Sequence, residues 1–293
     1  MKKIVETIKI ALFIIFSFSG IIIAGTGIDS LGHRVTIPDK SFRIVSLPPG
    51  TTEVLYAIGI RDELVGVSDF CNYPPNFVKE KPKMGGFSTP NIEKIESVHP
   101  DVVILTTVVP VQIEKQLKKL GIEIFISEPK SINELLDSIY QIGKLTNHEK
   151  EALKLIGNMK DRIGKVEYRI RNKSTHPVRT FIEIWYNPIY AAEKNTLPGD
   201  IVTKAGGEVI PNDGKKYPQL NEETLLELNP EAIILGHKIS MEEFMKIHRN
   251  VSSIMAIKNR KILIPNPDIF LRPGPRIVDA IEEIARFLHP EAF

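Results

Sequence analysis

The sequence of 293 residues holds one cysteine, Cys71, so an intramolecular disulfide and a multi-cysteine zinc or iron–sulfur site are both excluded. It has no excess of either charge. Lys and Arg number 38 against 36 Asp and Glu, a formal net charge of +2. A nucleic-acid binder is not expected, because neutralising phosphates takes a basic excess gathered on one face. No Gly-Lys-Ser/Thr follows a glycine-rich turn, and there is no Gly-x-Ser-x-Gly elbow and no His-Glu-x-x-His helix. The seven histidines, His33, His99, His148, His176, His237, His248 and His289, are dispersed and offer no convergent set for a metal. Cys71 lies between Phe70 and Asn72 with no basic neighbour to lower its pKa, which fits a structural thiol. No catalytic residue, no metal site and no resident cofactor are expected.

What is present begins with a targeting pattern. Lys2, Lys3 and Lys9 precede an apolar run from Ile10 to Ala24, the n-region and h-region of a secretory signal. The run is shorter than the roughly 20 apolar residues that span a bilayer, which favours a cleaved signal over an uncleaved anchor. A lipoprotein signal needs a cysteine just after such a run, and Cys71 is far downstream. The protein is therefore expected in the periplasm or at the cell surface, with an anchor at residues 1–24 as the alternative.

Two stretches resemble each other. Asn91-Ile-Glu-Lys-Ile-Glu-Ser-Val-His-Pro-Asp-Val-Val-Ile-Leu105 aligns with Asn221-Glu-Glu-Thr-Leu-Leu-Glu-Leu-Asn-Pro-Glu-Ala-Ile-Ile-Leu235. Each reads as a short helix, a Pro, then a buried parallel strand, over Val102–Leu105 and over Ala232–Leu235. A second pair is Glu53-Val-Leu before Gly59 and Asp200-Ile-Val before Gly206, each after a Pro-Gly. Each reads as a strand-to-helix turn and a short helix ending at Gly. Further strands are expected at Arg43–Leu47, Leu64–Val67, Ile122–Ile126, Thr180–Trp185 and Lys261–Ile264, with a hairpin from Ile28 to Ile37 turning at Gly32.

Between the halves, Thr146 to Lys173 reads as one amphipathic helix. Thr146-x-x-Glu149 suits a capping box. Leu153, Ile156, Met159, Ile163, Val166 and Ile170 recur at three- and four-residue steps. The expected architecture is α/β: two Rossmann-like lobes, residues 25–145 and 174–293, joined by a single long helix over 146–173, with a ligand cleft between them. A helical joint is stiffer than extended strands and limits hinge closure.

In open α/β sheets, ligands sit at the carboxyl ends of the strands. The loops there are rich in aromatic and amide groups, as suits a large ligand with apolar faces and a polar rim. The candidate ligand-binding residues are Phe70, Tyr73 and Phe87 in the first half. In the second they are Trp185, Tyr186, Tyr190, His237, Phe270 and Arg272. Trp185, the only Trp, ranks first because it directly ends a strand. Arg272 could pair a ligand anion or tie down its own loop.

The chain resembles the extracytoplasmic solute-binding proteins of ATP-driven (ABC) importers in which one rigid helix joins two α/β lobes. The resemblance rests on Arg43-Ile-Val-Ser-Leu47 with Thr52-Glu53 and Ala57-Ile-Gly59, and on Leu64-Val-Gly-Val-Ser-Asp69 with Tyr73-Pro74-Pro75. It continues through Gly85-Gly86 with Asn91-x-Glu93, His99-Pro-Asp-Val-Val103, Ala205-Gly-Gly207 and Arg272-Pro-Gly-Pro-Arg276. It implies a non-enzymatic monomer that captures a metal chelate and hands it to a membrane permease. It also implies docking to permease arginines through one acid on each lobe, at the positions of Glu53 and Asp200. Members bind cobalamin (vitamin B12), ferric siderophores or haem. Ser68-Asp69 with Tyr73-Pro74-Pro75 is similar to the cobalamin branch. A corrinoid is largely neutral and calls for aromatics and amides, whereas an anionic siderophore calls for several Arg or Lys. Cobalamin is the favoured ligand, then a ferric siderophore, then haem. An exported enzyme on the same scaffold would need an acid–base set in the cleft, where only His237 and scattered carboxylates are on offer. A surface adhesion module would show an apolar patch and no cleft.

Overall fold

The computed structural model describes residues 25–38, 41–173 and 176–293. The signal or anchor expected at 1–24 lies outside the described residues. Among those described, no helix is long and apolar enough to cross a membrane.

The chain opens with the expected hairpin, β1 (Gly25–Ile28) against β2 (Arg34–Ile37), turning through Gly32 at φ 84°. Next come β3 (Ile44–Ser46), β4 (Leu64–Val67), β5 (Val102–Leu105) and β6 (Glu123–Ile126), which form a parallel sheet in the order β4-β3-β5-β6. The second half holds β7 (Val178–Tyr186), β8 (Ile189–Ala191), β9 (Gly207–Ile210), β10 (Gln219–Leu220), β11 (Ala232–Leu235) and β12 (Ile262–Leu263). There β9, β7, β11 and β12 run parallel in the same relative order as the first sheet. The latter part of β7 adds an antiparallel extension through β8 to β10.

The matched sequence pairs fall on matched structure. Asn91 and Asn221 are helix N-caps, their side chains accepting from the N–H groups of Lys94 and Thr224 at 2.9 and 2.8 Å. This satisfies a backbone donor that the first turn would otherwise leave unpaired. Both helices end at a left-handed residue directly before Pro, His99 at φ 43° and Asn229 at φ 40°. The helices Pro49–Ala57 and Leu197–Lys204 each carry Pro in the first turn. Their ends turn at Gly59 and Gly206, both at positive φ.

The linker helix runs Glu149–Asn172, so its expected start is corrected. Thr146 makes no capping box with Glu149. Its hydroxyl donates to the Ile142 carbonyl and closes the preceding helix, Ile132–Leu145. At 1.5 Å per residue the 24-residue rod is about 36 Å long. Its buried stripe is Ala152, Ile156, Met159, Ile163 and Val166, while Leu153 faces outward. Ala152 takes the inner place because the rod crosses Ile132–Leu145 closely at Gly143, where a Cβ would come within 2.5 Å of the Ala152 methyl.

One continuous apolar core unites the linker stripe with the inner faces of helices Pro49–Ala57, Ile132–Leu145, Leu197–Lys204 and Ile277–Leu288 and with one face of each sheet. Separate apolar clusters cover the other face of each sheet. Arg162 pins the rod to Ile277–Leu288, with Nε 2.9 Å from Glu282 Oε1 and Nη2 2.7 Å from Asp279 Oδ1. The lobes thus share close-packed interior, which resists deformation far more than a tether does.

Candidate ligand-binding cleft

The carboxyl ends of the parallel strands of both sheets open into a half-open cavity of about 690 Å³ between the lobes, within the usual range for small-molecule sites. The first lobe contributes the residues that follow its four strands: Pro48 to Gly50, Phe70, Thr106 and Val108, and Ser127 to Lys130, with Phe87 beside them. The second lobe contributes Ile184 at the end of β7, Asn195 to Pro198, Lys216, Tyr217, and Leu271 to Pro273. Phe70 and Phe87 meet edge to face, centroids 5.3 Å apart, and set one apolar wall. Prolines and aliphatic side chains line much of the rest.

Of the candidate ligand contacts, the structure brings Phe70, Phe87 and Arg272 to this cavity. Trp185, Tyr186 and Tyr190 lie outside its lining on the β7–β8 extension, where Trp185 stacks on Tyr186 at 5.0 Å and pairs in register with Tyr190. Ile184, next to Trp185, takes the inward position, because neighbours on a strand face opposite sides. Phe270 is corrected: it is fully buried in the core and cannot touch a ligand. Tyr73 lies under the Arg276 guanidinium, 4.0 Å from ring centroid to Cζ. His237 is buried outside the cavity lining, its Nε2 2.9 Å from Glu183 Oε1. His248 Nε2 lies 3.1 Å from Glu183 Oε2. Burial pushes the Glu183 carboxyl up, but the two histidines outweigh it and hold it below the ordinary value. Of the residues missed by sequence reasoning, Thr106, Val108, Glu128 and Lys130 follow strands, Ile184 lies in the last part of β7 and Lys216 leads into β10, and the preference for aromatics passed them over.

Arg272 serves its own loop. Its Nη2 is 2.8 Å from Asp268 Oδ1, and its Nη1 donates to Asn72 Oδ1 across the lobes at 2.7 Å. Asn72 returns a bond from Nδ2 to Asp268 at 2.8 Å. Beside them Arg276 holds Glu53 in a fork, Nε to Oε2 at 2.8 Å and Nη2 to Oε1 at 2.6 Å. Burial pushes the Glu53 carboxyl up, more than the Arg276 fork pulls it down. The fork in turn holds the Arg276 charge more firmly. Asp200 mirrors Glu53: its Oδ2 accepts from the Ile132 N–H at 2.8 Å, the first residue of Ile132–Leu145. Each acid thus reaches from a helix of its own lobe to the start of the last sheet-flanking helix of the other. Cys71 is buried, with Sγ 3.2 Å from Thr52 Oγ1 and 3.3 Å from Ser68 Oγ, the structural placement expected. Among the described residues no group of three or more His, Cys, Asp or Glu could hold a metal ion.

Two α/β sheets facing across a shared cleft, welded by a helical rod and common core, define a solute-binding protein. Residues 44–268 match the periplasmic binding protein family, and the chain belongs to it. It is 30% identical over 271 residues to an uncharacterized ABC transporter substrate-binding lipoprotein of Bacillus subtilis, covering 90% of this chain and 85% of that one. It superposes on the periplasmic vitamin B12 binding protein of Vibrio cholerae with a TM-score of 0.71 at 29% identity, over 85% of this chain and 96% of that one. It superposes on a possible iron-binding periplasmic solute-binding protein of Staphylococcus epidermidis with a TM-score of 0.77 at 28% identity, over 84% and 98%. The chain is a substrate-binding protein of an ABC importer, not an enzyme. It acts outside the cytoplasm, with a membrane permease as partner and a small molecule as cargo.

Proposed function

We propose that this protein captures cobalamin in the interlobe cavity and delivers it to an ABC importer permease. The observation that carries the reading is the cavity itself: a half-open space of about 690 Å³, walled by Phe70, Phe87, Tyr217 and prolines, at the strand ends of both lobes. A bulky, mostly neutral ring with amide side arms suits apolar walls and a wet rim, and it would stand partly out of the mouth. The V. cholerae structure bears a vitamin B12 binding protein of the same architecture. A shared core and cross-lobe bonds keep the walls in place before binding, which keeps the ordering cost low. Export through the apolar segment at 1–24 belongs to the same reading. So does docking through Glu53 and Asp200, whose carboxylates permease arginines would reach in competition with Arg276 and the Ile132 N–H.

The test is calorimetric titration of the purified protein with cyanocobalamin, alongside haemin and a ferric catecholate. Saturable one-to-one binding of cyanocobalamin is expected. No binding up to about 10 µM, where even a weak specific site fills, would remove the corrinoid reading.

A further inference from the structure

The four charged side chains lining the cavity, Glu128, Lys130, Lys216 and Arg272, are not equivalent. Arg272 is committed to Asp268 and Asn72. Glu128 is committed to Thr107, accepting from its N–H at 2.8 Å and from its hydroxyl. Among the described residues, no ion-pair or hydrogen-bond partner holds the ammonium of Lys130 or of Lys216. One comes from each lobe.

Both lysines have free heads, and the backbone that carries each is held in place. Lys130 sits between buried Pro129 and the N-cap Ser131. Its N–H donates to Glu134 Oε2 at 2.8 Å, and Ser131 Oγ accepts from the Glu134 N–H at 3.1 Å. Lys216 has φ 66°, a left-handed conformation that is uncommon for a side chain of this size. The fold holds it there. Its carbonyl accepts from the Glu193 N–H at 2.8 Å, and the fully buried Glu193 carboxyl takes the N–H groups of Gly214 and Lys215 at 2.7 and 3.1 Å. Strain of this kind persists only where surrounding structure over-determines it, and it concentrates at ligand clamps. An anion entering the cavity would meet two ammonium charges that no carboxylate of the protein compensates.

We infer that Lys130 and Lys216 form an anion clamp across the cleft, so that the cargo is a chelate with a negative group at its rim. The inference rests on the cleft being the cargo site. Applied to cobalamin, it assigns the clamp to the phosphodiester of the nucleotide loop, the one acidic group on an otherwise amide-decorated ring. Lysine meets such a group as a point charge without fixed geometry, which suits a rim contact. The same chemistry would hold the propionates of haem or the charge of a ferric catecholate.

The experiment uses Lys130→Met, Lys216→Met and the double variant, each checked for unchanged thermal unfolding. They are titrated with cyanocobalamin, with dicyanocobinamide (which lacks the nucleotide loop and its phosphodiester) and with haemin. Each single variant should weaken cyanocobalamin about fivefold and the pair about twentyfold at low salt. The wild-type affinity should fall between about 20 mM and about 500 mM NaCl while that of the double variant stays flat. Cobinamide should bind wild type and double variant alike. Double-variant affinity within twofold of wild type for whichever ligand binds, at both salt concentrations, would overturn the clamp and leave the cleft assignment standing. Haemin binding with lysine dependence, and none for cyanocobalamin, would overturn the corrinoid reading and keep the clamp. No binding by wild type of any of the three, nor of a ferric catecholate titrated alongside them, would overturn both.

Discussion

Removing the Arg276 guanidinium tests what holds the lobes together beside the cleft. Glu53 is 4% exposed and its carboxylate lies in the Arg276 fork, while the guanidinium lies over the Tyr73 ring. Breaking a buried pair from one side leaves the remaining charge without compensation, at a cost of about 3–5 kcal/mol. Here a ceiling applies, because Glu53 can take up a proton. From the ordinary value of 4.5 to pH 7, protonation costs about 3.4 kcal/mol at 1.36 kcal/mol per unit. Loss of the stacking on Tyr73 adds about 0.5–1 kcal/mol. Arg276→Ala should therefore lose at most about 4 kcal/mol at pH 7, and less by whatever the rise already present in the intact pair costs. The sign with pH follows. In the variant the folded-state pKa of Glu53 rises further above its unfolded value, so the folded state holds a proton that the unfolded state releases. The deficit is largest at neutral pH and shrinks by about 1.4 kcal/mol per unit as pH falls, until the wild-type carboxyl, itself raised above 4.5, is protonated too and only the stacking loss remains. Denaturant melts across this range measure it. Glu53→Gln/Arg276→Ala should show no such slope. A single-variant loss under about 1 kcal/mol at pH 7, or a loss that does not change with pH, would refute the argument.

Gly50→Ala should drive a wedge between the lobes, since its Cβ would lie 2.7 Å from the Pro273 carbonyl carbon and no side chain can yield there. A loss of about 2 kcal/mol in denaturant melts is expected, and an unchanged midpoint would show that the two loops are not in contact. Phe87→Ala removes half of the edge-to-face pair at the cavity wall and should raise the ligand Kd about tenfold with little change in stability, read by calorimetry. The Arg162 hydrogen bond holds Glu282 below its ordinary value, so this acid stabilises the fold above pH 4.5, and that stability is lost as pH falls through the lowered value. Glu282→Gln should then cost about 1 kcal/mol at pH 7 and progressively less as pH falls below 4.5, the comparison being thermal melts across that range.

Which parts of this were legible in the sequence follows from where the information lies. The strands Val102–Leu105 and Ala232–Leu235 were readable to the residue, because Asn caps, a helix-ending Pro and four consecutive apolar residues are local signals. The internal likeness showed two related halves, but the order of their strands was not read from the sequence, because pairing partners lie far apart in the chain. The helix start was misplaced by three residues because Thr146 can cap forward or close backward. Only the crossing of two helices at Gly143 decides between them. The site was harder still. Aromatic content locates loops but not facing. Phe70 and Phe270 look alike in sequence, yet one is exposed at the cavity and the other sealed in the core. Arg272 and Lys216 likewise differ only in what lies within 3 Å of their charges, a tertiary fact. The misread residues are therefore those whose role depends on a partner from elsewhere in the chain.

The architecture explains why the cross-lobe acids matter beyond stability. The shared core lies on the rod side of the molecule, and the cleft on the strand-end side. Packing alone would fix the hinge but leave the mouth free to gape. Glu53 with Arg276, Asn72 with Arg272 and Asp268, and Asp200 with the Ile132 N–H bridge the lobes in addition to that core. They also sit at equivalent ends of the duplicated halves, so a force that spreads the lobes must strain both. Their small number is what makes the frame adjustable. A close-packed core deforms only at high cost, whereas a few polar contacts can be exchanged for others of the same kind.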